Sequence, residues 1–95
     1  MKEYSFALFV VNAYSIQNRN LVKYIKELLD SELGDFYTLK IVDILTDPED
    51  SKKCGIVVVP TLAKCSPGRV EKMFGNFTNS AVFRKIIKRI HDVNG

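Results

Sequence analysis

Apolar and polar positions fall in blocks along this chain, and the blocks predict its elements. Residues 4–11, YSFALFVV, are a near-continuous apolar run of strand length, the pattern of a strand covered on both faces. The polar stretch NAYSIQNRN follows. Ser15 is placed to cap a helix that carries Leu21, Ile25, Leu28 and Leu29 on one face, and Gly34 stands where that helix would stop. Residues 37–45, YTLKIVDIL, read as a second strand, with Leu39 and Ile41 on one face and Thr38, Lys40, Val42 and Ile44 on the other. In TDPED, Asp47 can cap a helix, Pro48 suits its first position, and Glu49 and Asp50 favour the positive end of its dipole. Gly55 ends this short helix. A valine strand interrupted by Pro60 comes next, then the turn SPG at 66–68 and a return segment, RVEKMF, closed by Gly75. In the last segment Val82, Phe83, Ile86, Ile87 and Ile90 follow helical spacing, with Arg84, Lys85, Lys88 and Arg89 opposite and Thr78 or Asn79 as the cap.

The order is therefore strand, helix, strand, helix, strand, strand, helix. Two strand–helix–strand connections predict parallel pairing through right-handed crossovers, followed by an antiparallel hairpin around SPG. This α/β order, βαβαββα, resembles the thioredoxin-like layout. In that layout Pro60 falls at the mouth of the third strand, beside the loop that opens the first helix. Proline cannot donate to a sheet ladder, so a strand start suits it. The tight setting predicts a cis Val59–Pro60 bond.

Composition narrows the functional classes. Ninety-five residues, 46% hydrophobic and 26% charged, are those of one globular domain. No stretch approaches the roughly 20 apolar residues that a membrane span requires. The opening run lacks a small-residue cleavage site and reads as a strand, so a cytoplasmic protein without membrane attachment is expected. A net charge of +3 permits an acidic partner without demanding one. The two cysteines, Cys54 and Cys65, form no CxxC, and with His91 as the only histidine they do not make a metal site. Unpaired thiols in a reducing compartment fit better than a disulfide, although the spacing permits one.

Candidate chemistry is thin. A thioredoxin-like enzyme needs a nucleophilic cysteine at the start of the first helix, and the corresponding AYSIQN contains none. Cys54 and Cys65 are expected away from that dipole, so a thiol enzyme or redox sensor using Cys65 is the weaker alternative. Capping and solvation account for Asp43, Asp47, Glu49 and Asp50. The stripe Arg84, Lys85, Lys88 and Arg89 lacks the interleaved aromatics of a nucleic-acid platform and reads as the wet face of a helix. No nucleic-acid partner and no cofactor are expected. Tyr14 has two readings: an exposed recognition residue beside Pro60, or a staple packed under the helix.

Taken together, IVDIL at 41–45, Pro60-Thr61-Leu62, Lys64, Pro67, Lys72, Gly75 and Thr78 resemble the KaiB family of circadian-clock proteins, over about Phe6 to Ile90. PTLAK followed by SPGRV and FGNFT is the specific part. The chain departs from the family pattern in its VNAYSIQ loop, usually glycine-containing, in Glu71 where a basic residue is usual, and in Asn76 where an aspartate is usual. The resemblance implies a non-enzymatic adaptor that binds the KaiC-type ATPase ring and modulates its phosphorylation cycle, with a KaiA-like protein joining as a third component. The chain is similar also to the thioredoxin-like sensor domain of the SasA kinase; with no kinase segment within residues 1–95, the stand-alone reading is the one expected. An interaction module for another signalling ATPase or kinase is the alternative function. The resemblance further implies fold switching between the thioredoxin-like monomer and a homotetrameric form ordered βαββααβ, through a region containing Gly75, Asn76 and Thr78. Two packings of one sequence coexist when they differ by about a few kcal/mol. The helical face Phe83, Ile86, Ile87 and Ile90, and the hairpin-forming Pro67-Gly68, favour the thioredoxin-like monomer. The expected partner-binding residues are Tyr14, Lys40, Asp43, Lys64, Arg69 and Lys72, with Pro60 as a structural cis-proline. Lys40 and Asp43 are expected on a strand at or near a sheet edge, where a partner strand can add.

Overall fold

The computed structural model describes residues 3–56, 58–74, 81 and 84–89. Its elements are β1 (Tyr4–Val10), α1 (Ile16–Leu33), β2 (Tyr37–Asp43), α2 (Pro48–Lys53), β3 (Thr61–Ser66) and β4 (Glu71–Phe74), and residues 81 and 84–89 are helical. The four strands form one sheet in the order β2-β1-β3-β4. β1 pairs parallel with β2, from Tyr4↔Tyr37 to Val10↔Asp43. It pairs antiparallel with β3, and β3 pairs antiparallel with β4, from Thr61↔Phe74 to Lys64↔Glu71.

The near-continuous apolar run becomes an interior strand buried on both faces. Tyr4, Phe6, Leu8 and Val10 join Ile25, Leu28, Leu29 and Leu33 of α1, with Leu62, Met73 and Ile87, in the larger core cluster. Ala7 and Phe9 face the other way and pack with Val42 and Ala63, against Cys54, Ile56 and Val59 beside α2. Helices therefore lie on both sides of the sheet. α1 begins where Ser15 leaves the helical conformation and its Oγ accepts the Asn18 N–H at 3.1 Å; it ends at Gly34, whose φ of +60° closes the last turn onto Asp30. Each fully buried side chain such as Leu8 or Leu29 contributes about 1.5–3 kcal/mol.

The thioredoxin-like fold and the cis Val59–Pro60 bond are both found, and Ser66–Pro67 is cis as well. Three expectations need correcting. The β2–α2–β3 connection is not a parallel crossover: β3 lies on the far side of β1 and runs against it. A parallel return must travel back along the strand, and a helix of six residues spans only about 9 Å. The chain crosses the sheet face instead and enters β3 from the end at which β2 finished. Val58 and Val59 are not part of the strand either, since residues 58–60 are bends and β3 starts at Thr61, immediately after the residue that has no N–H to give. Asp47 occupies the cap position of α2, but its side chain makes no capping bond. The expectations for Val57, Gly75, Asn76, Thr78, Asn79, Val82, Phe83, Ile90 and His91 concern positions outside the described residues.

Candidate partner-binding surface

The strand directions bring the C-terminal ends of β1, β2 and β4 and the start of β3 to one end of the sheet. The loop into α1 leaves from this end, and a polar network fixes it. Asp43 Oδ2 accepts the Ala13 N–H at 2.8 Å, and Oδ1 accepts the N–H groups of Asn12 at 3.3 Å and Leu45 at 3.0 Å. The Asn18 side chain donates to the carbonyls of Val11 at 2.6 Å and Asn12 at 2.8 Å. Asn12 sits at φ +61°, a conformation asparagine tolerates better than most residues. It stands in the stretch where the resemblance expects glycine. The Ala13 N–H, then that of Leu45, hold the Asp43 carboxyl below its usual range.

This network presents Tyr14 to solvent with 86% of its surface exposed, which decides between its two readings in favour of exposure. Val11, Ile16, Leu45, Val58 and Phe74 are exposed at the same end of the sheet, whereas the two other large exposed apolar residues described, Phe36 and Val70, lie at the opposite end. Clustered apolar exposure of this kind marks interaction surfaces.

The sequence-expected residues divide between locations. Tyr14 and Asp43 lie at the apolar end, where β3 starts after Pro60. Lys40 lies on β2, which is an edge strand, and its ammonium pairs with Asp50 on α2 at 3.0 Å, raising its pKa. Lys72 is exposed on β4, with its Nζ 3.4 Å from the Gly55 carbonyl. Arg69 is exposed in the β3–β4 turn, at the opposite end. Lys64 is only 1% exposed: its Nζ donates to the Pro67 carbonyl and lies 3.9 Å from Glu71, its cross-strand neighbour. In this fold Lys64 is an internal tie of the hairpin.

Val11, Ile16, Leu45, Val58 and Phe74 were not expected in a site. Their signal is an apolar residue at the boundary of an element, off the stripe or alternation of its neighbours. Ile16 starts α1 away from the Ile25, Leu28 and Leu29 face, and Leu45 lies two residues beyond β2.

No thiol stands at the start of α1. Cys54 and Cys65 are free and lie beside α2 on the opposite face of the sheet from α1. Burial, then the neighbouring Cys54, pushes the Cys65 thiol up, against a smaller pull down from Lys40 and Lys64. That is the reverse of an activated nucleophile. Among the described residues no group of three or more His, Cys, Asp or Glu can hold a metal ion, and no helix is long and apolar enough to cross a membrane.

A family model described as the KaiB domain matches residues 7–89. The chain is 33% identical over 78 residues to the circadian clock oscillator protein KaiB of Trichodesmium erythraeum, covering 82% of this chain and 74% of that protein. It is similarly 33% identical over 78 residues to KaiB1 of Synechocystis, covering 82% and 73% respectively. The N-terminal domain of Synechococcus elongatus SasA superposes with a TM-score of 0.71 at 19% identity, over 95% of this chain and 81% of that one. Mitochondrial thioredoxin 3 of Saccharomyces cerevisiae gives 0.69 at 17% identity, over 94% and 80%.

Proposed function

The chain belongs to the KaiB family of circadian clock proteins, and from that premise we propose that it is a non-enzymatic adaptor that docks on a KaiC-type ATPase ring and modulates its phosphorylation cycle. The observation that carries this reading is the apolar end of the sheet centred on Tyr14, held out by the Asp43 network, where a thioredoxin enzyme would keep its thiol. Tyrosine in such a position gives a large contact area with little conformational freedom to lose, which suits a binding hot spot. Lys72 and Arg69, both exposed, add charge complementarity to an acidic partner and act mostly on association rate and specificity. The outer edge of β2, carrying Lys40, is open to strand addition, and a KaiA-like protein in a ternary complex is its proposed occupant. The adaptor acts in the cytoplasm as a monomer in the thioredoxin-like state, with Gly75, Asn76 and Thr78 in the region that would rearrange in a homotetramer.

The test is backbone NMR of the labelled protein titrated with a nucleotide-loaded KaiC-type ring. Peaks of Val11, Tyr14, Ile16 and Leu45 are expected to broaden, and Tyr14→Ala is expected to weaken binding about tenfold or more, as for loss of a hot-spot tyrosine. Lys72→Glu should weaken binding chiefly at low salt. An unchanged spectrum at saturating ring removes the ring as the partner and redirects the search to other signalling ATPases and kinases.

A further inference from the structure

The sheet face covered by α2 carries a feature that the adaptor reading does not use. Ala7, Phe9, Val42, Lys40, Asp50, Lys53, Cys54 and Cys65 line a slot of about 190 Å³. Both cysteines of the chain border this one space. Cys54 caps the C-terminus of α2 and Cys65 lies near the end of β3, and both pack against the same small apolar cluster. The Lys40–Asp50 ion pair stands among the lining residues. α2 buries none of its six residues, so little packing energy opposes its settling toward the sheet, and the slot leaves room for that movement.

We propose that Cys54 and Cys65 form a reversible dithiol–disulfide pair that clamps α2 to β3 under oxidising conditions. The oxidant is a small disulfide such as glutathione disulfide. One protein thiolate attacks a sulfur of the oxidant and expels a glutathione thiolate, leaving a mixed disulfide on the protein. The second protein thiolate then attacks the protein sulfur of that bond and expels the second glutathione. Two protein thiols lose two electrons and two protons, and one glutathione disulfide becomes two glutathiones. A disulfide needs its Cα atoms about 4.4–6.8 Å apart, and the slot gives α2 room to settle to that separation. Any such shift would carry Asp50, and the edge strand would sense it through Lys40. The raised pKa of Cys65 fits a pair that reacts slowly and waits for sustained oxidation.

The experiment incubates the folded, reduced protein with excess glutathione disulfide at neutral pH and follows intact mass, free-thiol count and thermal melting. The expected product is a monomer lighter by two hydrogens, with no free thiol. Closing a loop of about a dozen residues should raise its Tm by at least about 5 °C. Cys54→Ser and Cys65→Ser should each stop at a single glutathione adduct. A stable mixed disulfide on the unsubstituted protein, a disulfide-linked dimer, or thiols that react only in denaturant would each overturn the proposal.

Discussion

Replacing Lys64 with alanine removes the one charged side chain that is buried to 1% exposure among the described residues. Three effects decide the outcome. The charged donor to the Pro67 carbonyl is lost, which costs about 1.5–3 kcal/mol because that carbonyl is left without its partner. The aliphatic stem that packs beside Phe6, its β1 neighbour, is also lost, at about 0.8 kcal/mol per methylene or some 2 kcal/mol in all. Against these stands the rotamer freedom released when a long side chain is no longer ordered, about 1.5–2 kcal/mol. The larger penalty of about 3–5 kcal/mol for stranding the partner of a buried ion pair does not apply, because Glu71 keeps 29% of its side chain in solvent and lies 3.8 Å from Arg89. The net loss is therefore about 1.5–3.5 kcal/mol for Lys64→Ala, and about 1.5–3 kcal/mol for Lys64→Met, which keeps the stem together with its ordering cost. Urea unfolding followed by circular dichroism should show losses of this size for both variants, with Tm falling by about 4–8 °C per kcal/mol. If both variants stay within about 0.5 kcal/mol of the parent, the ammonium is in water and the burial argument is wrong. Lys64→Glu would weaken docking by damaging the hairpin, so Lys72→Glu is the charge reversal that tests the surface.

Three further outcomes follow from other sites. Asp43→Asn should destabilise the loop into α1, with the largest amide shifts at Asn12, Ala13 and Leu45. The folded-state pKa of Asp43 is depressed, so its contribution is present at neutral pH and is lost as pH falls below the usual carboxylate range. The stability gap between parent and variant should shrink in acid, and a gap constant with pH would refute the assignment. Tyr37 is held neutral by burial and by its bond to Asp30, with its pKa raised to about 12. The stabilisation it gives is present below pH 10 and lost as pH rises toward 12, so the phenolate absorbance missing from Tyr37→Phe should develop near 12; development near 10 would contradict the bond. Gly55 has φ +66°, and Gly55→Ala should cost about 1–2 kcal/mol from backbone strain alone. The nearby Lys72 ammonium, 3.1 Å from the new Cβ, is flexible enough to move aside, so the loss should persist in Lys72→Ala.

How much of this was legible depends on whether a neighbour in sequence or a neighbour in space decides the outcome. Helix α1 is written locally: Ser15 supplies the cap bond, Ile25, Leu28 and Leu29 supply the stripe, and Gly34 supplies the stop. The break at Pro60 is equally local, because a residue without an N–H has few places in a sheet. The direction of β3 is not local. It depends on whether α2 is long enough to carry the chain back along the sheet, and the rule for strand–helix–strand units assumes a longer helix than this one. Lys64 misleads for a related reason. In a strand pattern a lysine reads as the wet position, and only the Glu71 carboxylate across the hairpin and the Pro67 carbonyl three residues on make its burial tolerable. At the candidate site, Tyr14 stood out by lying in a polar loop. Ile16, Leu45 and Phe74 did not, because an apolar residue at the end of an element looks like core until the fold leaves it uncovered.

The loop into α1 bears on how a thioredoxin-like fold could serve the proposed adaptor role. In a thioredoxin-like enzyme the start of the first helix keeps N–H groups and a positive dipole end available to a thiolate. In this chain part of the helix start and the loop before it are already engaged. Ser15 Oγ takes the Asn18 N–H, and the Asp43 carboxylate takes those of Asn12 and Ala13. A carboxylate at this position would repel a thiolate placed beside it and raise the pKa of the thiol. The same bonds tie down the backbone on either side of Tyr14. A partner that docks there has less loop entropy to remove, and preorganisation of that kind is where binding affinity is gained once contact area is fixed. Asp43, expected from its place on an edge strand to touch a partner, would on the proposed reading contribute instead by holding the loop that carries Tyr14 in position. Its substitution should therefore weaken docking even if no partner atom ever reaches the carboxylate, and restoring the loop's order by another route should restore binding without it.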